Sequence, residues 1–123
     1  MDICFEGIGQ MVATFATNAT KEALTPGMAV TLKESGTVGL GGGNDAVCGV
    51  TIGAERGGAV AVQIGGVVKV RYSDSAAPTV GYAALTCDGE GKVTTNGEGG
   101  VSYLVLAADE GENEDEKTAV IKL

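Results

Sequence analysis

The sequence predicts an all-β fold, a small β-barrel or sandwich with little helix, and three observations predict it. Val (15) and Ala (16) supply most of the apolar side chains, with only five aromatics and no Trp, and β-branched residues suit the pleated, half-buried surface of a sheet. The apolar runs are short and punctuated by 21 Gly against 2 Pro, which gives many positions for tight turns and few rigid stops. No segment keeps the 3.6-residue period over three turns that a core helix needs. The apolar share of 44% separates the chain from Gly-rich disordered sequences, which lack the apolar surface to offset ordering entropy. A chain of 123 residues fits one domain that buries roughly two thirds of its unfolded surface.

Taken in order, residues 1–10 carry Ile3, Phe5 and Ile8 with two glycines and no clean period. They read either as a first strand or as an N-terminal arm that orders against a neighbour, with residues 11–123 as a single β domain. Met11, Ala13 and Phe15 alternate with Val12, Thr14 and Ala16, a strand pattern. Residues 19–24 fit one helical turn before Pro26. In 59–72 the even positions Val60, Val62, Ile64, Gly66, Val68, Val70 and Tyr72 are apolar or Gly, and the odd positions Ala59, Ala61, Gln63, Gly65, Val67, Lys69 and Arg71 are mostly small or polar. A hairpin at Gly65-Gly66 would set Val62 opposite Lys69 and Val60 opposite Arg71, mixing core with charge. One long strand bent at Gly65-Gly66 keeps every even residue inside. On that reading Val62→Asp is severe and Gln63→Asp is tolerated. Residues 101–106 are apolar on both faces, as in a central strand. Residues 118–123 alternate again, with Ala119, Ile121 and Leu123 on one side.

A weak internal repeat runs through these segments. Pro26-Gly27-Met28-Ala29-Val30 answers Val80-Gly81-Tyr82-Ala83-Ala84 at an offset of 54, and Val47–Ile52 answers Val101–Leu106 at the same offset. Ala61-Val62-Gln63-Ile64 resembles Ala119-Val120-Ile121-Lys122 at an offset of 58, as if the turn Glu55-Arg56-Gly57-Gly58 had grown into a longer acidic stretch. Two copies are too few for a solenoid, so a sandwich or barrel with a pseudo-twofold repeat is expected.

The net charge of −8 is uneven: six of the 16 acids lie in 109–116, and the rest of the chain carries ten acids against eight bases. That stretch reads as a solvated hairpin loop in preference to a Ca²⁺ site, since it lacks EF-hand spacing. With no basic stripe, neither nucleic acid nor an anionic membrane is expected as a partner. Cys4, Cys48 and Cys87 match no zinc or redox spacing, and an odd count suits free thiols in a reducing compartment. Residues 1–20 show no secretory signal pattern, so the chain is expected to be made and kept in the cytosol.

No catalytic or cofactor signature is present. The chain has no His, which removes the commonest general base and the Ser-His and Cys-His nucleophile pairs. Gly89-Glu90-Gly91-Lys92-Val93 fails as a phosphate loop, because Thr86 stands where the first Gly belongs and Val93 replaces the Mg²⁺-binding Ser or Thr. Gly39-Leu40-Gly41-Gly42-Gly43 lacks the strand–helix context of a dinucleotide site. No catalytic, metal or cofactor residue is assigned, and none of the carboxylates, Asp74 and Asp88 included, belongs to a recognisable constellation.

The order of segments does carry a resemblance. Val12-Ala13-Thr14-Phe15, Pro26-Gly27-Met28-Ala29-Val30, Cys48-Gly49-Val50, Ala61-Val62-Gln63-Ile64-Gly65-Gly66, Val68-Lys69-Val70-Arg71-Tyr72 and Pro78-Thr79-Val80-Gly81-Tyr82 come first. Asp88-Gly89-Glu90-Gly91-Lys92-Val93, Tyr103-Leu104-Val105 and Val120-Ile121-Lys122-Leu123 complete the series. From about residue 10 to the end this resembles the capsid decoration (head-stabilisation) proteins of tailed bacteriophages and prophages. The resemblance implies a compact, non-enzymatic β module, commonly a homotrimer, that binds major capsid protein on the outside of the virion after assembly in the bacterial cytoplasm. It also implies an N-terminal segment that joins the capsid lattice, for which Ile3, Phe5 and Ile8 are the candidates. The rival reading is a carbohydrate- or cell-surface-binding β module of a phage fibre or bacterial surface protein. Such a module needs an exposed aromatic, and only Phe5, Phe15, Tyr72, Tyr82 and Tyr103 are available.

Overall fold

The computed structural model describes residues 9–17, 24–42, 44–97, 101–111 and 117–123. Among them are ten strands and no helix: β1 (Met11–Thr17), β2 (Ala29–Glu34), β3 (Thr37–Gly39), β4 (Gly49–Thr51), β5 (Ala59–Gly65), β6 (Val67–Arg71), β7 (Gly81–Cys87), β8 (Val93–Thr94), β9 (Val101–Asp109) and β10 (Thr118–Lys122). The all-β expectation holds, as do the first strand, the central position of β9 and the β9–β10 hairpin. The helical turn expected over 19–24 lies, except for Leu24, outside the described residues.

The strands form two units of one topology. The first half closes into a barrel in the order β1-β3-β2-β4-β5, and the second forms a sheet in the order β6-β10-β9-β7-β8. Followed from β3 the first reads β3-β2-β4-β5-β1, and followed from β8 the second reads β8-β7-β9-β10-β6, so each strand of one unit has a counterpart in the other. The contact that closes the ring is also duplicated. β1 meets β3 in parallel at Thr17↔Val38, and the second sheet curls until Tyr72 and Val93, each 55 residues further on, form a parallel bridge.

Strand registers correct the spacing of the repeat. Leu32 pairs with Val38 and Cys87 with Val93, an offset of 55, which aligns Val30 with Leu85. Both are fully buried, whereas Ala84, the partner at offset 54, is exposed. Likewise Ala13↔Val62 and Val68↔Ile121 align Val62 with Ile121 at an offset of 59, where 58 would align it with half-buried Val120. Side chains alternate faces with a period of two, so an error of one residue exchanges core for solvent.

The bend expected at Gly65-Gly66 is present. β5 and β6 do not pair with each other; the strand leaves the barrel, turns at Gly66 with φ 83°, and enters the second sheet. A positive φ is strained for side chains with a Cβ and free for Gly. Val60, Val62, Val68, Val70 and Tyr72 are buried on the inner side and Lys69 and Arg71 are exposed, as the alternation predicts.

Gln63 overturns the same pattern. It is only 3% exposed. Its Nε2 donates to the carbonyls of Gly65 and Val67, both at 3.0 Å, and its Oε1 accepts from Gln10 Nε2 at 3.4 Å. The amide thus bonds the carbonyls on either side of Gly66 and ties the two arms of the bend together. Gln63→Asp is therefore expected to cost about 2–3 kcal/mol, since a carboxylate would face two carbonyl oxygens with no proton to offer. Urea denaturation measures it, and a midpoint equal to wild type would show that the amide does not hold the bend.

Two cores result. Leu24, Val30, Val38, Val60 and Val62 fill the barrel. The inner face of the second sheet, including Val70, Tyr72, Leu85, Tyr103, Val105 and Ile121, packs on Ala29, Val47 and Val50 from the barrel's outer side. Full burial of each Val or Leu contributes roughly 1.5–3 kcal/mol, and the shared core makes the units interdependent. Backbone bonds bind them further: Ala29 N–H donates to Gly91 O and Cys87 N–H to Asp45 O, each at 2.8 Å. Tyr103 Oη donates to Val47 O. β4 lies so close to β5 that a Cβ on Gly49 would come within 2.5 Å of Gln63 O, which explains glycine at that strand position.

Candidate functional site

Ile3, Phe5 and Ile8 lie outside the described residues, as do residues 112–116 of the acidic stretch. What is described of that stretch is tied to the fold: Asp109 ends β9 and its carbonyl accepts from Tyr72 Oη at 3.2 Å. Among the described residues no group of three His, Cys, Asp or Glu is placed to hold a metal ion.

Among the described residues a dense polar cluster is centred on Asp74, 8% exposed. The parallel meeting of Tyr72 and Val93 brings two polar turns together, Ser73-Asp74-Ser75 after β6 and Thr94-Thr95-Asn96 at the end of β8. Asp74 Oδ1 accepts from Thr94 Oγ1 at 2.5 Å and from Asn96 Nδ2 at 3.0 Å. Its Oδ2 accepts from Thr95 N at 2.9 Å and Thr95 Oγ1 at 2.8 Å. Burial disfavours the charge, but the bonds from Thr94 and Thr95, with the Lys117 ammonium nearby, outweigh it and hold the carboxyl below its ordinary range. A carboxylate with two donors on each oxygen is a clamp across the sheet closure. It replaces with side-chain bonds what the barrel achieves with two register pairs, Ala16↔Thr37 and Thr17↔Val38. Asp88 is likewise occupied: its Oδ1 accepts from Glu90 N and Lys92 N and caps a turn.

Beside the clamp opens a cleft of about 540 Å³, lined by Asp74, Ser75, Thr79, Tyr82, Thr95 and Asn96 together with alanines and Pro78. Tyr82 is 78% exposed, while Tyr72 and Tyr103 are buried and Phe15 is half-buried. The sequence held a signal for this. Leu85 has to face the core, so alternation along Gly81–Leu85 sends Ala83 with it and turns Tyr82 and Ala84 outward.

A second surface lies on the other unit. Thr14↔Ala61 and Ala16↔Ala59 pair across β1 and β5, and paired residues share a face. With Val12 and Ile52, both over 40% exposed, they form an outer barrel patch of six uncharged side chains, which exposed Arg56, paired with Ala59, and Glu34, paired with Thr37 beside Ala16, border on the same face. The N-terminal segment precedes β1 in the chain.

The described thiols are poor nucleophiles. Burial pushes Cys87 up to about 11 and raises Cys48 as well, so neither carries appreciable thiolate at neutral pH. Both are free. No family model matches the chain, and no curated protein matches it either.

Proposed function

We propose that this chain is a structural protein without catalytic activity that binds the outer surface of a phage capsid and decorates or stabilises it, as a symmetric oligomer, most simply a trimer. The order of its segments, similar to that of capsid decoration proteins, is the origin of the reading. The observation in the fold that carries it is the uncharged patch of Val12, Thr14, Ala16, Ala59, Ala61 and Ile52 on the outer barrel face, rimmed by Arg56 and Glu34, which the segment bearing Ile3, Phe5 and Ile8 precedes in the chain. Uncharged surface of this kind suits the centre of a protein interface, from which charged residues are depleted. A stiff module whose described buried polar side-chain atoms all have partners presents its surface without reorganisation, and many copies on a lattice gain from multivalency.

The test separates the arm from the body. Deleting residues 1–8 is expected to leave the melting temperature within about 2 °C of wild type, since the described β domain remains complete. The same deletion is expected to weaken co-sedimentation with empty capsids about tenfold or more, the scale of a lost interface anchor. Full-strength binding by the truncated protein would remove the arm from the interface, and absence of binding by the intact protein would overturn decoration.

A further inference from the structure

We infer that the cleft beside the Asp74 clamp is a binding site for a neutral saccharide, with Tyr82 as its stacking platform. The proposal is independent of capsid attachment: the cleft belongs to the second unit, and the uncharged patch proposed for docking belongs to the first. Tyr82 stands 78% exposed in a protein whose other two tyrosines are buried. An aromatic ring left in water at the edge of a concavity is a ready contact for a ligand with an apolar face. The rest of the lining selects the ligand class. Ser75, Thr79, Thr95 and Asn96 bring hydroxyl and amide groups, Asp74 brings a carboxylate, and among the described residues no Lys or Arg lines the cleft. The Lys117 ammonium donates to the Asp74 carbonyl at 3.3 Å and is not part of the lining, so phosphates and other anions meet no lining cation and face a carboxylate held ionised. A pyranose ring matches the lining, with one C–H face to lay on Tyr82 and equatorial hydroxyls to reach the polar side chains. The clamp fixes Thr95 and Asn96 before any ligand arrives, which lowers the ordering cost of binding.

Titration of the full-length ¹⁵N-labelled protein with chitotetraose, cellotetraose, maltotetraose and galactotetraose, with glucose 6-phosphate as the anionic control, tests the site. At least one oligosaccharide is expected to shift the amides of Tyr82, Ala84, Thr95 and Asn96 saturably, with Kd near 1 mM, as for a single shallow subsite. Tyr82→Ala should weaken that binding about tenfold or more at unchanged melting temperature, and Tyr82→Phe, which keeps the ring, should retain it. Three results each overturn the proposal: no saturable shift up to about 20 mM with any oligosaccharide, binding unaffected by Tyr82→Ala, or equally strong binding of glucose 6-phosphate.

Discussion

Val62→Asp is expected to unfold the protein at neutral pH or to lower its melting temperature by more than about 15 °C. Val62 is fully buried in the barrel among Leu24, Val30, Val38 and Val60. Its replacement forfeits roughly 1.5–3 kcal/mol of apolar burial and sets a carboxylate among aliphatic side chains. The two terms together exceed about 4 kcal/mol, a large part of the 5–15 kcal/mol that stabilises a typical domain. The buried carboxyl would avoid ionising, so its folded pKa would lie above the unfolded value of about 3.9. The charge penalty then grows as pH rises above that value and shrinks as pH falls towards it. Val62→Thr, nearly the same shape with one hydroxyl, should cost about 1–2 kcal/mol and give the packing reference. Thermal melts at pH 7 and pH 4.5 check all of this, and a wild-type melting temperature for Val62→Asp would place position 62 outside the core.

Asp74→Ala is expected to cost about 3 kcal/mol, or about 10 °C in melting temperature. The substitution removes an acceptor of four hydrogen bonds and releases the two turns that hold β6 against β8. Because the folded carboxyl titrates below its ordinary value, its contribution is complete above the unfolded pKa of about 3.9 and is lost as pH falls through the lowered folded value. Wild type and Asp74→Ala should therefore differ fully at pH 7 and converge in strongly acidic solution. A difference that stays constant with pH would show that the carboxylate is not the clamp.

These two residues mark what sequence reasoning reaches in this fold. Val62 was legible because alternation over 59–72 depends only on neighbours along the strand, and the charges of Lys69 and Arg71 decided against a hairpin. Gln63 was misread for the same reason. Alternation sorts side chains by polarity, but Gln63 is buried because its amide bonds the backbone carbonyls on either side of the bend. The clamp at Asp74 was not legible at all, since it depends on a parallel bridge between Tyr72 and Val93 that no local pattern encodes. The repeat was visible as composition and order. Its true offsets of 55 and 59 emerge only from strand registers, where parity matters more than the identity of Ala and Val. Tyr82 lay between these cases: its outward direction followed from Leu85, but the cleft beside it depended on the clamp.

The duplicated topology bears on how the two proposed activities can coexist. One unit closes fully and keeps an uncharged patch on its outer face, while the other closes through Tyr72, Val93 and Asp74 and opens a polar cleft beside that seam. Each unit keeps the strands that build the shared core and differs in what it exposes.

Attachment to a capsid is the central proposal, and its most direct measurement is a saturation experiment with purified empty capsids of the phage or prophage proposed to encode the chain. The protein is expected to bind saturably, at a fixed ratio to major capsid protein and at symmetry-related positions on the outer surface in a cryo-electron microscopy reconstruction. Binding that never saturates, or a reconstruction without added density on the outer shell at saturating protein, would contradict it.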